Sequence, residues 1–338
     1  MHTLGIVSQT ARLGALAVEE ARRVQPTVVF SGQIYPTGAA AARAARALGV
    51  PYAAQAYGEE FLNIRLGRGA LSPVRRRVLR TLLRDADLVI GPSTFTRSEA
   101  ARFGYPPARF HVVHPGVALH AFRPDVDGAP IRARHGLGPR PVILSCGRLF
   151  ARKGMDVVIR LLPEIARRVP DVAYVIVGDG PDRSELEQLA RTMGVTDRVI
   201  ITGEVEQVDL PQYYAAADVI AMAYRERSLA RGNYDTEGFG IVLAEAGAAG
   251  RPTVAVRVGG TGDAVIEGET GYLLEEDDTQ GFTDALVRLL GDPALRARLG
   301  AGGRARVERE LNWESMADRV RAILVALMEA SAPVARPG

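Results

Sequence analysis

Two glutamates, Glu237 and Glu245, stand eight positions apart in the stretch YDTEGFGIVLAEAGAAG that runs from Tyr234 to Gly250. Gly238-Phe239-Gly240 follows the first, and the residues from Ile241 to Ala249 have good helix propensity. The stretch reads as a glycine-bearing loop entering a helix, whose free N–H groups and positive dipole end suit anionic or oxygen-rich ligand groups. If the helix covered the whole interval, a rise of ~1.5 Å per residue would set the carboxylates roughly 12 Å apart. Glycosidase carboxylate pairs sit ~5 to 9.5 Å apart, so these two are expected to hold different parts of one long ligand. The same residues also fit a plain helix, with Glu237 as a first-turn acid and Glu245 on a solvated face.

A second pair consists of cations. GRLFARKG at 147–154 follows an apolar strand and holds Arg148 and Lys153 in a short loop whose glycines, Gly147 among them, allow close backbone approach. Lys153 is the only lysine among 42 basic residues. Guanidinium and ammonium are not interchangeable: one grips as a planar fork and the other acts as a compact point charge, a combination suited to a diphosphate. The Walker order is absent. GDGPDR at 178–183 brings Gly178 and Gly180 to another strand end as a partial G-x-G-x-x-G, with arginine where the third glycine belongs. That keeps a nicotinamide-dependent enzyme open as a rival reading. Tyr57, Glu59 and Glu60, in AYGEEF at 56–61, are expected in a loop at the end of a further strand, either as ligand contacts or as solvated surface.

These residues need a scaffold of alternating strands and helices. Helices are expected at Ala11 to Val24, Thr37 to Leu48 and Leu71 to Leu83, with strands at Thr27 to Phe30, Tyr52 to Ala56, Asp87 to Gly91 and Phe110 to His114. Ser93 carries helix-capping chemistry. The turn-rich run 123–140 reads as a linker, and its Asp125-Val126-Asp127 is discounted as a metal site because no strand delivers it. A second series follows: strands Pro141 to Cys146, Ala173 to Val177, Arg198 to Ile201, Val219 to Met222 and Thr253 to Val256. A helix spans Met155 to Arg168, and further helices cover Thr279 to Leu290, Ala294 to Leu311 and Trp313 to Met328. Such alternation implies two parallel sheets covered by helices, the doubly wound α/β class. The division expected is 1–122, linker 123–140, 141–311 and a last helix at 312–330, with a disordered tail from Ser331 to Gly338.

Composition narrows the class. The 338 residues carry a net charge of +3, interspersed and with few aromatics, which argues against nucleic-acid binding. No apolar run is long enough to span a bilayer. The single cysteine, Cys146, excludes a disulfide framework and reads as a buried strand residue. In the helix ending at Arg84, Arg76, Arg77, Arg80 and Arg84 oppose Leu71, Val74, Val78, Leu79, Leu82 and Leu83. Such a helix can lie on an anionic membrane surface or face a core with its basic side in water.

GRLFARKG at 147–154, VGDGP at 177–181, EGFGIVLAE at 237–245 and GRPTVAVRVGGTGDAV at 250–265 occur in the order seen in retaining glycosyltransferases of family 4 with the GT-B fold. The chain resembles their lipid mannosyltransferases of the phosphatidylinositol mannoside type, which share the aspartate of Asp235-Thr236-Glu237. The resemblance spans roughly residues 20 to 325 and is densest after Arg123.

It implies two Rossmann-like domains and transfer of a hexose, mannose from GDP-mannose, to a lipid or glycan acceptor. The expected location is cytoplasmic, at the inner face of the membrane. Arg148 and Lys153 would bind the diphosphate of the nucleotide-sugar donor, and no metal or other cofactor is implied. Glu237, Gly238 and the backbone of Phe239, Gly240 and Ile241 would hold the sugar, and Glu245 the ribose. Gly178 and Gly180 would line the donor cleft, with Gly203 to Val205 near the base. Tyr57, Glu59 and Glu60 stand on the acceptor side, where the family often has a histidine. Members usually begin with a strand and a glycine-rich loop; Met1-His2-Thr3-Leu4 starts inside that domain, so the first domain is expected to be incomplete. A donor-binding protein without turnover is the alternative reading.

Overall fold

A computed structural model of the protein describes residues 2–66, 72–228 and 234–331. Two compact units divide the chain. Unit 1 takes the residues up to His114, the segment Ser228–Gly238 and the chain from Met316 onward; unit 2 takes Pro115–Arg227 and Phe239–Ser315.

Unit 1 is built on a parallel sheet of four strands in simple sequential order: β1 (Val29–Ser31), β2 (Tyr52–Gln55), β3 (Leu88–Gly91) and β4 (Phe110–Val112). The helices are α1 (His2–Val24), α2 (Gly38–Leu48), α3 (Glu59–Leu66), α4 (Ser72–Asp85) and α5 (Thr94–Arg102). Period-two alternation decides which residue faces which cover. Tyr52, Ala54 and Val89 join Phe61, Leu79 and Leu83 in one core, while Ala53, Leu88, Ile90 and Val113 face Met316, Val320, Ile323, Leu324 and Leu327. Those last five belong to the C-terminal helix (Trp313–Ser331), so the last helix packs on the first sheet. Asn312 caps it, accepting from the Ser315 N–H at 2.8 Å.

Unit 2 holds six parallel strands ordered β12-β11-β8-β5-β6-β7. They are β5 (Val142–Cys146), β6 (Ala173–Val177), β7 (Val199–Ile201), β8 (Val219–Met222), β11 (Thr253–Val256) and β12 (Gly271–Leu274); β9 (Arg227–Ser228), where unit 2 gives way to unit 1, and β10 (Tyr234–Asp235), in unit 1, pair separately as a ribbon. Helices α6 (Ala129–Arg134), α7 (Met155–Arg168), α8 (Arg183–Thr192), α9 (Leu210–Ala216), α10 (Ile241–Ala248), α11 (Thr261–Ala264), α12 (Thr279–Gly291) and α13 (Pro293–Glu310) accompany them. β5, β6, β8 and β11 are buried along their whole length. Continuous apolar runs of this kind mark strands covered on both faces.

Three expectations need correction. Residues 123–140 are not a plain linker: α6 forms within them, and Ile131 and Leu137 are buried in unit 2's core. Turn residues such as Gly128, Pro130 and Gly136 hid that short helix. AYGEEF is not a loop throughout, because α3 starts at Glu59. The first helix extends back to His2, nine residues before the expected Ala11. Leu71 and the expected disorder of the tail at 332–338 lie outside the described residues.

Candidate functional site

At the C-terminal edge of unit 2's sheet the chain leaves β5 through Gly147 and turns back through a 3-10 turn at Ala151–Lys153 into α7. The loop is bolted to its neighbours by backbone. Gly147 N–H donates to Val177 O at 2.9 Å, and Leu149 N–H donates to Asp179 O at 2.9 Å. Gly154 ends the turn with φ +74°, and a Cβ there would lie 1.7 Å from Ala223 O. Only glycine fits, because both the left-handed backbone and the contact forbid a side chain. Arg225 braces the turn from the end of β8: its guanidinium donates to Ala151 O and pairs with Asp156.

Both expected cations are held by aromatic rings. Lys153 Nζ lies 5.1 Å from the Tyr224 ring centroid, and the Arg148 guanidinium lies 4.8 Å from that of Phe150. The ring quadrupole attracts the cation without neutralising it, so each ring helps to place its charge. Arg148 is exposed and Lys153 half-buried. Lys153 also shares the field of the Cys146 thiol, whose ionisation burial pushes up to about 12. That thiol is a buried strand residue, not a nucleophile.

Gly178 and Gly180 do a different job from a dinucleotide fingerprint. A Cβ on Gly178 would meet Gly147 O at 2.1 Å, and one on Gly180 would meet Leu149 O at 2.6 Å. Both glycines let the β6 turn lie against the 147–150 loop. Gly178 N–H also donates to Gly203 O at 2.9 Å, tying in the strand end that leads to half-buried Val205. Arg183, in the place of the third glycine, pairs with Asp179 and Glu187.

Helix α10 begins at Ile241 with Gly240 as its cap residue, at φ 90° and ψ 60°, and no side chain caps it among the described residues. The Leu243 N–H turns back to Gly240 O at 2.9 Å, leaving the N–H groups of Ile241 and Val242 at an open helix start. The first turn contains no acid, so Glu237 is not a first-turn residue. The helix covers only half the interval between the two glutamates, so the 12 Å spacing expected for a continuous helix does not apply. The boundary between the units falls between Gly238 and Phe239. Phe239 is buried in unit 2's core, and Glu237 is half-buried in unit 1.

Glu245 sits on α10, half-buried, and accepts a hydrogen bond of 2.6 Å from the fully buried Tyr214 hydroxyl of α9 at its Oε2. Burial pushes its carboxyl up to about 7, against the opposing pull of Tyr214. It is therefore not the solvated surface acid that the plain-helix reading allowed. The sequence offered no sign of Tyr214, Tyr224 or Phe150 as partners; Tyr214 and Glu245 are 31 residues apart.

In unit 1, Tyr57, Glu59 and Glu60 line a cavity of about 650 Å³ with Gln33, Tyr35 and Arg75. Glu60 is also structural: its carboxylate accepts from the Tyr57 N–H at 2.9 Å and closes the start of α3. Burial raises its carboxyl above the usual range, and the backbone amides at the helix start work the other way. Gly238 packs closely beside this cavity, since a Cβ there would lie 3.0 Å from Tyr57 O. Asp125 pairs with Arg123 and Asp127 caps the Ala129 N–H, so both carboxylates of the D-x-D have local uses. Among the described residues no cluster of metal-ligating side chains occurs.

Two parallel-sheet Rossmann-like units, the second with two ring-supported cations and an open helix start at its C-terminal edge, define the GT-B class of fold. Comparison with known proteins agrees. The family model described as "Glycosyl transferases group 1" matches residues 129–306, and "Glycosyltransferase Family 4" matches residues 5–121. The chain belongs to this glycosyltransferase family.

A GDP-mannose-dependent alpha-(1-6)-phosphatidylinositol monomannoside mannosyltransferase of Mycolicibacterium smegmatis is 40% identical over 262 residues, 77% of this chain and 68% of that protein. The Mycobacterium tuberculosis protein of the same name is 39% identical over 252 residues, 74% of this chain and 65% of its own length. The chain thus spans about two thirds of the length of these relatives. Among solved structures, the Anabaena protein HepE in complex with UDP superposes with a TM-score of 0.80 at 22% identity, covering 93% of this chain and 82% of that one. That likeness concerns the fold.

Proposed function

We propose that the protein transfers a hexose, mannose from GDP-mannose, to a hydroxyl of a lipid or glycan acceptor with retention at the anomeric carbon. The observation that carries the reading is the lone lysine, Lys153, poised over Tyr224 in a loop whose geometry is enforced by Gly154 and Arg225. The 40% identity to a GDP-mannose-dependent enzyme supports the donor.

In this reading Arg148 grips the diphosphate as a fork and Lys153 as a point charge. The N–H groups at the start of α10 add further donors. Glu245 takes the ribose hydroxyls, with Val205 near the base. Glu237 and the 239–241 backbone take the sugar. As the bond from the anomeric carbon to the phosphate oxygen breaks, negative charge grows on the leaving diphosphate, and the two cations compensate it without a metal. In this reading the acceptor hydroxyl attacks the face that the diphosphate leaves, and the diphosphate oxygen takes its proton. Tyr57 and Glu59 stand at the acceptor cavity of unit 1.

Helix α4 is assigned to peripheral membrane contact. Val74 and Val78 are exposed beside Arg75, Arg77, Arg80 and Arg84, and no helix among the described residues is long and apolar enough to cross a bilayer. In this reading the protein works at the cytoplasmic face of the membrane.

Calorimetric titration with GDP tests the donor site. Lys153→Ala should weaken binding at least tenfold while circular dichroism stays unchanged; equal affinity in the two proteins would remove Lys153 from the diphosphate.

A further inference from the structure

We propose that Tyr214 is the positioning residue for the donor's ribose: its hydroxyl holds Glu245 Oε2 and leaves Oε1 as the acceptor for the ribose hydroxyls. The inference rests on the donor-site reading above and adds to it a residue from a separate helix.

Four observations carry it. Tyr214 is fully buried, and its ring meets Phe122 edge-on at 5.3 Å, so the hydroxyl has a fixed origin. The bond to Glu245 Oε2 is 2.6 Å, the length of a charge-assisted O–H···O⁻ contact. Among the described residues, Oε1 of Glu245 carries no hydrogen bond. Burial and the neighbouring Glu245 and Cys146 hold the Tyr214 phenol well above its usual range, so it stays a donor wherever Glu245 is ionised. An unsupported glutamate on a helix end would sample several rotamers, and fixing it beforehand removes that cost from ligand binding.

The hydrogen bond has a second consequence. A carboxylate drawn inward by burial takes up a proton near neutrality, and the ionised form is the stronger acceptor for the ribose hydroxyls. Tyr214 favours that form. The other titratable and charged groups around the pair are Tyr224 at the end of β8, Cys146 on β5, Lys153 in the following loop, Arg251 after α10, which donates to Ala215 O of α9, and Arg304 and Glu308 on α13, Arg304 donating to Ala248 O at the end of α10. Arg304 is paired with Glu308, and the Cys146 thiol ionises only near pH 12. Glu245 is thus the protein group expected to govern binding near neutrality, beside the terminal phosphate of the ligand, which ionises at about pH 6.

The experiment is a calorimetric titration of the full chain with GDP, and with UDP beside it, from pH 5.5 to 8.5. Wild type, Tyr214→Phe and Glu245→Gln are compared, with thermal unfolding as the check on folding. The wild-type affinity should climb as pH rises through about 7. Tyr214→Phe keeps the ring and loses the hydroxyl. Its curve should keep the same shape with its midpoint displaced upward by about one pH unit, so that GDP binds roughly fivefold more weakly at pH 7. Glu245→Gln should bind weakly and keep only the pH dependence of the terminal phosphate of GDP, which ionises at about pH 6. A folded Tyr214→Phe whose pH curve overlays the wild type overturns the positioning role while leaving the donor site standing. A wild type that binds neither nucleotide overturns the donor site and this inference together.

Discussion

At the scale of single residues, Glu245 makes the protein's stability depend on pH as well as its binding. Its carboxyl titrates near 7 in the folded chain and near 4.5 in the unfolded one. Between those values the folded state holds a proton that the unfolded state has released. The stability this proton contributes is complete below about pH 4.5 and is lost as pH rises through about 7. Glu245→Gln should remove the slope, flattening unfolding free energy from pH 5 to 8 by up to about 3 kcal/mol relative to wild type. Chemical denaturation at both pH values measures it, and an unchanged slope would place the titration elsewhere. Lys153 makes a second test, because arginine is the residue this chain uses everywhere else. Lys153→Arg keeps the charge but puts a broad fork where a point charge sits over Tyr224, and should still lose most GDP affinity. The cation pair was readable from residue type and spacing. Tyr214 was not, since a hydrogen bond between separate helices leaves no local pattern.

At the scale of elements, Gly154 is where the loop and β8 meet. Gly154→Ala forces a Cβ onto Ala223 O in a left-handed backbone, which should cost about 2 kcal/mol or more and lower the melting temperature by several degrees. A melting temperature equal to wild type would mean that the loop is not held as described. Helix α4 makes an independent prediction. Arg80→Glu with Arg84→Glu should reduce sedimentation with phosphatidylglycerol vesicles several-fold at 0.1 M salt and leave the weak binding to phosphatidylcholine unchanged. Equal sedimentation of both proteins would confine α4 to packing. Strands β5, β6, β8 and β11 were readable to within a residue because each is a short apolar run bounded by turn residues. Helix α3 was missed because Gly58 and two acids look like a loop, although Glu60 in fact closes the helix start on the Tyr57 amide. Helix α6 was masked by its flanking glycines and proline, and its buried Ile131 was the one sign of packing.

At the scale of the whole molecule, the two units carry separate cores, and the C-terminal helix belongs to the first. Ile323→Asp would set a charge against Ala53, Leu88 and Ile90, costing unit 1 roughly 3 kcal/mol. The donor loop lies in unit 2, so GDP affinity should survive; loss of both would mean that the two units do not respond separately. The doubly wound class was readable from alternating elements. The position of the unit boundary inside the EGFG motif was not, because Glu237 and Phe239 are neighbours in sequence and are sorted only by what each packs against. The most direct test of the central claim is turnover by the full chain. The protein is incubated with GDP-mannose labelled in the sugar, a mixed lipid extract and a metal chelator, with Lys153→Ala run beside it. Label moving into the lipid phase in an α-linkage with matching GDP release, absent in the variant, is the predicted result. Donor recovered intact from the wild-type reaction, or label transferred equally well by the variant, would contradict the account.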